Sequence, residues 1–324
     1  MNGSIKFVLA LAAMAFGQQV GAESSGSVAA LLAQDVRLAT VAERLFAANN
    51  HLCRQHMPLT GMVLHSRDQY RAGLADAQFG NGQVAIAGVV PGSAAERAGL
   101  RAGDGLVAIA GRRTADLVEG EEEASLRDAA QTVLAAQPAR EPVQITVARG
   151  GEERVVSLDA PEGCRAQVEI RSTNDLNALA TGRLIRLTYG LAVRADDNAL
   201  AVLFAHEMGH HVLEHRRRLE AAGVEKGLLG EFGKNHRLNR LVETQADQMA
   251  VHLLANAGYD PSVAPAFWRT KFGRRVSGGL FGRSTYNRSA SGRAELQERE
   301  IAEHIVAGRS DPEHLLAGRD RPFD

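Results

Sequence analysis

The sequence has almost no net charge, little lysine and little cysteine. Its 37 basic and 38 acidic side chains leave a formal charge of -1, so we expect no overall electrostatic attraction to nucleic acid or to an anionic membrane. Only four of the basic residues are lysines, an arginine bias that we interpret as compositional rather than as phosphate recognition. Two cysteines in 324 residues exclude a disulfide-dense miniprotein.

Long apolar runs are also scarce, and the one near the start of the chain is short. Residues 7–16 (FVLALAAMAF) follow Lys6 and precede the small residues 20–22 (VGA). Such a run is too short to cross the hydrocarbon core as a helix, which needs about 20 residues. The pattern predicts a signal peptide over residues 1–22, and the alternative is a buried N-terminal helix. We therefore expect an exported soluble protein, periplasmic or secreted, with no integral membrane span.

The rest of the chain has the composition of a folded protein, with 45% hydrophobic residues and room for one large or two ordinary domains. Residues 28–50 keep apolar side chains at helical spacing. Residues 59–160 change to short β-like runs separated by glycines, and residues 198 onward are mainly helical again. This pattern predicts an α+β fold in which a β-rich module lies between helical segments.

The β-rich module contains turn motifs at regular places. Residues 89–95 (VVPGSAA) and 98–104 (AGLRAGD) predict a proline-glycine turn, a short helix that ends at Gly99, and a second turn. These motifs resemble the PDZ domains of bacterial protease-associated proteins. The resemblance implies that residues 59–160 bind the C-terminus of a peptide by strand addition, with the carboxylate-binding loop at residues 60–63. The alternative is a β-rich module without peptide binding.

The two cysteines, Cys53 and Cys164, flank this module. In an oxidising compartment their placement predicts a disulfide at the neck of an inserted domain. The alternative is two unpaired, buried thiols. Closing so long a loop stabilises a protein by about 4–5 kcal/mol in the chain-entropy model.

The segment most suggestive of chemistry is residues 206–210 (HEMGH), within a helix that we predict over residues 200–219, capped by Asp196 or Asp197. Histidines four residues apart share one face of a helix, so His206 and His210 can bind a single zinc ion. Glu207 then lies beside the open coordination position. There it can accept a proton from water and pass it to a leaving amine.

A catalytic zinc site needs a third protein ligand, and a second helix predicted over residues 241–256 offers two acids. Glu243 and Asp247 are four residues apart and share a face. We predict that Glu243 binds the zinc ion and that Asp247 hydrogen-bonds a ligand imidazole; the alternative is an ordinary solvated acidic face. Leu213 and Arg216 occupy the positions where the metzincin pattern has glycine and histidine, which excludes that pattern.

Taken together, these motifs resemble the M48 family of zinc metallopeptidases over about residues 166–306, and the helix at residues 28–50 fits the same family. The quoted residues are Asn177-Ala178, Gly182, Tyr189-Gly190-Leu191, residues 198–211 (NALAVLFAHEMGHH), His215, Glu243, Ala246 and Asp247. The resemblance implies a mainly helical, zincin-type metallopeptidase domain with a small sheet, into which the PDZ-like domain is inserted. On that basis residues 23–57 and 165–308 form the peptidase domain, and residues 309–324 form a C-terminal tail.

The resemblance also implies the chemistry. One zinc ion per chain would be bound by His206, His210 and Glu243, and Glu207 would be the general base of an endopeptidase. Arg293 is a candidate catalytic residue that either stabilises the oxyanion or holds the site together. The strand edge along which a substrate backbone would pair consists of Asn177, Ala178, Leu179 and Ala180, at the start of a β-run extending to Thr188.

One departure from the family pattern lies near the end of the domain. Many members carry a His-Pro pair six residues before an arginine, whereas Asn287-Arg288 stand there in this sequence, which removes any metal-capping histidine. The Gly/Ser/Arg-rich residues 273–292 are either a mobile lid or a plain surface loop. His215 is expected to be a packing or hydrogen-bonding residue, and residues 216–218 (RRR) a solvated helix end.

Our leading hypothesis is an exported zinc endopeptidase that hydrolyses unfolded or extended polypeptides, with a role in envelope protein quality control. The PDZ-like module would recruit a C-terminal peptide or gate the cleft. The alternative is a PDZ-bearing adaptor or holdase with a non-catalytic metal site. Intact Glu207 argues against it, because a site without catalysis does not need a general base. An aminopeptidase is less favoured, because the sequence has no motif that marks an amine-capturing acid.

Overall fold

The computed structural model describes residues 25–70, 79–117, 125–224, 233–279, 289–306, 310 and 312–323. The predicted signal peptide and the Asn287-Arg288 pair lie outside the described residues. Within them, helices and several small sheets give the mixed α+β fold that the sequence predicted.

A long helix precedes the β-rich module. Helix α1 (Ser25–Ala48) follows the apolar spacing seen in the sequence and buries Ala42, Leu45 and Phe46. These residues share one face of the helix, and this face packs against later segments of the chain. The ring of Phe46 lies 5.5 Å from that of Phe204, in an edge-to-face arrangement.

The β-rich module is an antiparallel sheet with the strand order β2-β3-β4-β6-β7, to which β5 adds beside β4. The short β-runs and the short helix before Gly99 that the sequence predicted for this module are present. Its elements are β2 (Met62–Ser66), β3 (Val84–Val89), α2 (Ala94–Arg97), β4 (Gly105–Ile109), β5 (Arg112–Arg113), α3 (Leu126–Ala135), β6 (Val143–Arg149) and β7 (Glu152–Leu158).

Side-chain alternation explains why this sheet has one buried face. In β6, Val143, Ile145 and Val147 are buried while Gln144 between them is exposed, as a strand with two different faces requires. Helix α3 packs on β2, β3 and β4. It begins at a capping box between Ser125 and Asp128.

The turn before β2 brings two segments into close contact. Gly61 has a φ of 75°, and a Cβ at this position would lie 2.1 Å from the Cβ of Ser93. Ser93 is the N-cap of α2, and its hydroxyl accepts a hydrogen bond from the backbone N–H of Glu96. Only glycine fits here, so the loop that the PDZ resemblance assigned to carboxylate binding is held against the start of α2.

The module is tied at its neck. Strand β1 (His56–Pro58) pairs antiparallel with β8 (Glu162–Cys164), so the entering and leaving segments of the chain form a two-stranded ribbon. Beside it, Cys53 and Cys164 form a disulfide, with their Cα atoms 5.5 Å apart. The predicted disulfide is confirmed.

Polar side chains also dock the module onto the helical part. Arg127 on α3 and Arg186 on β11 (Leu184–Thr188) both pair with the buried carboxylate of Glu169 on β9 (Gln167–Arg171). The Arg127 contact attaches α3 to the small sheet of the helical part, whereas Arg186 and Glu169 are cross-strand neighbours within that sheet.

The helical part contains this small sheet and most of the helices. The sheet has the order β10-β11-β9, with β10 antiparallel and β9 parallel to β11. The remaining elements are β10 (Ala178–Ala180), α4 (Tyr189–Ala192), α5 (Asp197–Val212), α6 (His215–Ala221), α7 (Gly233–Asn256), α8 (Val263–Arg269), α9 (Lys271–Gly279), α10 (Ala290–His304) and α11 (Glu313–Leu316).

Helix α5 lies at the centre of this part, and nearly all of its residues are buried. Asp196 is its N-cap, since the carboxylate accepts a hydrogen bond from the backbone N–H of Ala199. Gly209 lets α7 approach closely, because a Cβ there would lie 3.0 Å from the backbone oxygen of Ala246. The two helices that carry the predicted zinc ligands therefore cross in direct contact.

The structure corrects three predicted elements. The helix predicted over residues 200–219 ends at Val212, and α6 starts after Glu214, which has a left-handed φ of 52°. The β-run around residues 179–188 is a hairpin of two strands with a turn at Gly182. Part of the stretch at residues 273–292 is helical, in α9 and α10.

A fourth correction concerns the arginine triplet, which is not uniformly solvated. Arg216 and Arg217 pair with nearby glutamates at the surface. Arg218 is buried, and its guanidinium lies 3.8 Å from the centre of the Phe323 ring. This contact holds the C-terminal segment against α6.

In the described part of the chain, every helix is too short or too polar to cross a membrane.

Candidate metal centre

Helices α5 and α7 bring the three predicted ligands together. The Nε2 atoms of His206 and His210 are 3.3 Å apart. Glu243 places Oε2 3.3 Å from Nε2 of His206 and Oε1 3.5 Å from Nε2 of His210. Two imidazole nitrogens and a carboxylate thus converge on one point.

The outer nitrogen of His206 is fixed by a buried carboxylate. Asp247, one turn beyond Glu243 on α7, accepts a hydrogen bond from Nδ1 of His206 at 3.0 Å. Burial raises the pKa of Asp247, but Arg293 and His206 outweigh it and bring the pKa to about 2, so Asp247 is ionised. With Nδ1 donating to Asp247, Nε2 of His206 can present its lone pair to a metal ion.

A second chain of hydrogen bonds orients His210. Oε1 of Gln245 accepts from Nε2 of His215 at 3.1 Å, so Nδ1 of His215 is the acceptor for Nδ1–H of His210 at 2.9 Å. This leaves the lone pair on Nε2 of His210, on the side of Glu243. The break between α5 and α6 makes this contact, since a continuous helix would carry His215 away from His210. His215 is therefore the hydrogen-bonding residue that the sequence predicted.

The residues present fit a zinc ion. Oε2 of Glu243 is buried and has no hydrogen-bond partner among the described residues, although burying an unsatisfied carboxylate oxygen is costly. Burial lowers the pKa of His206, but the nearby carboxylates of Asp247 and Glu243 raise it to about 9, so the site favours a positive charge at that position. Two imidazoles and one carboxylate are a common ligand set of catalytic zinc.

Glu207 lies between the two histidines in sequence and is buried within the same helix. Only 3% of its surface is exposed, and burial raises its pKa to about 7. A carboxyl group with a pKa near neutral can both accept and return a proton at physiological pH. The arrangement therefore supplies a metal-binding set with an adjacent acid–base group.

The structure places Arg293 against Asp247 and Trp268, and this position bears on the two roles predicted for it. Its Nε donates to Oδ2 of Asp247 at 2.8 Å, its NH2 group donates to Oδ1 at 2.5 Å, and its guanidinium stacks on Trp268 at 3.5 Å from the ring centre. It therefore lies on the Nδ1 side of His206, away from Nε2. The geometry fits the other predicted role, in which Arg293 holds the site together by positioning Asp247.

Three supporting residues were missed by the sequence analysis. They are Gln245, which binds His215, Trp268, which stacks on Arg293, and Gln297, whose side-chain amide donates to the backbone oxygen of Asp247 at 3.0 Å. Trp268 is the one tryptophan of the sequence, which is the only signal that could have drawn attention to it.

A cleft runs beside His210 toward the β10–β11 hairpin. The ring of His211 hydrogen-bonds the backbone of Gly182 at the hairpin turn, and β10 packs against α5. No described strand pairs with the outer edge of β10. The predicted edge residues Ala178, Leu179 and Ala180 form β10, and Asn177 immediately precedes it.

Two parts of the chain match models of known protein families. Residues 144–234 match the model of peptidase family M48, and residues 86–149 match the model of a PDZ domain. These matches confirm the resemblance found in the sequence, to an M48 peptidase with a PDZ domain. The M48 match includes His206, Glu207 and His210 and ends before Glu243. No curated protein matches the chain.

Proposed function

We propose that this protein is a zinc-dependent endopeptidase that cleaves unfolded or extended polypeptides. The observation that carries this proposal is the convergence of His206, His210 and Glu243, in which the unsatisfied Oε2 of Glu243 lies 3.3 Å from Nε2 of His206. The M48 match supports peptidase activity.

When bound, a zinc ion would supply Lewis acidity that polarises the scissile carbonyl and makes water more acidic. Glu207 accepts the proton of the attacking water and delivers it to the amine that leaves. Its pKa of about 7 suits both transfers, because neither protonation state is strongly favoured at neutral pH. Asp247 and His215 keep the two imidazoles in the orientation that the ligand role needs.

The strand β10 supports an extended substrate. Its outer edge presents backbone donors and acceptors next to α5, and a peptide in β conformation can add to such an edge. Binding through the backbone requires an unfolded segment but little sequence preference. We therefore propose damaged or unfolded proteins of the cell envelope as the substrate class, with export supported by the disulfide and by the predicted signal peptide.

The PDZ domain supports recruitment or gating through a pocket that both domains line. Among the described strands of its sheet, β2 lies at the edge, and the pocket lies between β2, α3 and α1. It is lined by Ala39, Ala42, Glu43 and Phe46 of α1, Met62 and Val63 of β2, and Gln131, Leu134 and Ala135 of α3, among others. A peptide C-terminus bound there would contact both domains.

The decisive experiment replaces the proposed general base. Glu207→Gln should reduce cleavage of unfolded casein by at least about 100-fold, while the zinc content of the purified protein equals that of the unaltered chain. A variant that cleaves at the parental rate would exclude Glu207 as the base. Glu153→Gln, an exposed glutamate of the PDZ domain, is the matched control and should cleave normally.

The second candidate, a PDZ-bearing adaptor or holdase, predicts a different result. Such a protein would bind zinc and peptides but show no chelator-sensitive cleavage of any unfolded substrate. Mapping the products from a denatured proteome by mass spectrometry separates the two functions. It would also give the side-chain preference of the cleavage site.

A further inference from the structure

A second set of metal-type donors lies at the far end of helix α7, where α10 and the C-terminal segment meet it. The set, called here the C-terminal cluster, consists of His252 on α7, Glu300 on α10 and His314 on α11, and one donor atom of each lies within 4.8 Å of the others. We propose that the C-terminal cluster binds a second divalent transition-metal ion, with zinc as the best match to its donors.

The two histidines of the C-terminal cluster direct their Nε2 atoms at the same carboxylate oxygen. Nε2 of His252 and Nε2 of His314 each lie 2.8 Å from the same oxygen, Oε1 of Glu300. Two imidazole nitrogens and one carboxylate oxygen are the same donor types that converge at the first site.

The second polar atoms of His252 and Glu300, which face away from the cluster, form hydrogen bonds with other residues. Such bonds commonly orient the ligands of a metal ion. Nδ1 of His252 lies 2.6 Å from Oγ of Ser310, and the amide of Gln248 donates to Oε2 of Glu300 at 2.7 Å. Ser310 is itself fixed, because its backbone N–H and C=O both bond to the side chain of Asn256. With Nδ1 donating to Ser310, the lone pair of His252 lies on Nε2.

The buried carboxylate of Glu300 needs a compensating positive charge at this position. Its side chain is only 3% exposed, and no described Lys or Arg side chain forms an ion pair with it. A buried carboxylate without a compensating positive charge is strongly unfavourable. Either a protonated histidine or a metal ion can supply that charge, and the convergence of both Nε2 atoms favours the metal.

An ion can reach the cluster from solvent. The side chain of His314 is 37% exposed and that of His304 is 39% exposed. The two rings stack with their centres 4.1 Å apart, at the end of α10. His304 is thus a close neighbour that stands outside the donor set.

The position of the cluster gives the second ion a structural role. Helix α7 carries Glu243, Asp247 and His252, and α10 carries Arg293 and Glu300. An ion bound by α7, α10 and α11 would fasten the C-terminal segment to the pair of helices that hold the first site.

Metal counting tests the proposal directly. The full chain, loaded with zinc and freed of excess by dialysis, should contain about two zinc ions by plasma mass spectrometry. His314→Gln and His210→Gln should each contain about one, and the double variant about none. His304→Gln is the matched control and should retain two.

The opposite result is equally clear. One zinc ion in the unaltered chain, unchanged in His314→Gln and lost in His210→Gln, would show that the cluster is a hydrogen-bonded one and would overturn the proposal. Because His314 is partly exposed, this variant is expected to fold, and circular dichroism checks that. A cobalt titration followed by absorption gives a second count, with saturation at two equivalents expected. Glu207→Gln tests the first site separately, since it should keep both ions while losing cleavage.

Discussion

At the scale of single residues, the buried pair of Arg293 and Asp247 decides how His206 is presented. Asp247 accepts from Nδ1 of His206 and is held by two hydrogen bonds from Arg293. Both side chains are almost fully buried, so water cannot solvate either charge if the other side chain is removed. Removing one member leaves the other buried and uncompensated.

We therefore expect Arg293→Gln to act through metal binding and stability. The variant should lose about 3–5 kcal/mol of unfolding free energy and bind zinc about 10–100-fold more weakly. Urea unfolding of the metal-free protein and competition with a chromophoric chelator measure the two effects. Arg299→Gln, an exposed arginine on the same helix, should change neither. An unchanged zinc affinity with a lower kcat would restore the oxyanion role.

The contrast between ligands and their supports shows what the sequence can reveal at this scale. His206, His210, Glu243 and Asp247 were predictable, because helical spacing places them on facing surfaces. Trp268 could not be assigned a role, since its contact with Arg293 joins residues that are distant in the chain and that no local pattern connects.

At the scale of elements, helix α1 is shared by the two domains. Phe46 packs on Phe204 of helix α5, which carries His206 and His210, whereas Glu43 receives a hydrogen bond from the backbone N–H of Gly61, in the loop before β2. A side-chain carboxylate of α1 thus occupies the loop that the PDZ resemblance assigned to a peptide carboxylate. Burial raises the pKa of Glu43 to about 7.

This raised pKa gives a pH dependence with a definite sign. Between pH 4.5, the ordinary pKa of a glutamate, and about pH 7, the folded protein holds a proton on Glu43 that the unfolded chain releases, so stability falls as pH rises through this range. No described charged group contributes to the shift, although Asp35 on the same helix also has a pKa raised by burial to about 7.

We expect Glu43→Gln to remove the contribution of Glu43. Urea unfolding at pH 5 and at pH 8 gives the unfolding free energy of the variant minus that of the unaltered chain. This difference should be larger at pH 8 than at pH 5 by roughly 1–3 kcal/mol. Glu153→Gln, an exposed glutamate of the PDZ domain, should follow the unaltered chain at each pH. Equal differences at pH 5 and pH 8 would mean that Glu43 is already ionised in the fold.

Most elements were predictable from periodicity, and the exceptions have physical reasons. The end of α5 was missed because Glu214 adopts a left-handed conformation without the glycine that normally signals it. Residues 273–279 have the composition of a loop, yet Val276 and Ser277 are buried, and packing stabilises the helix against its weak propensity.

At the scale of the whole molecule, the insertion of one domain into another depends on the neck. The disulfide spans 111 residues and limits the freedom of the unfolded chain more than that of the folded one. The two cysteines and the helical segments on either side led us to predict an inserted domain. The sequence did not predict the docking of the PDZ domain, because Arg127 and Glu169 are distant in the chain and no local pattern connects them.

We expect the double variant Cys53→Ser, Cys164→Ser to be destabilised by about 4–5 kcal/mol. Urea unfolding of the variant and of the unaltered oxidised chain measures this difference. Adding a reductant should bring the unaltered chain close to the variant and leave the variant unchanged. A variant as stable as the parent would show that the ribbon of β1 and β8 suffices to close the neck.

The shared helix α1 has a consequence for how the two domains communicate. A peptide carboxylate that replaces Glu43 at Gly61 would act on helix α1, the same helix that packs on α5 through Phe46. Binding events at two sites that bias one element are thermodynamically linked, and the linkage is reciprocal. If a bound peptide raises the affinity of an inhibitor at the proposed zinc site by some factor, the inhibitor must raise the affinity of the peptide by the same factor.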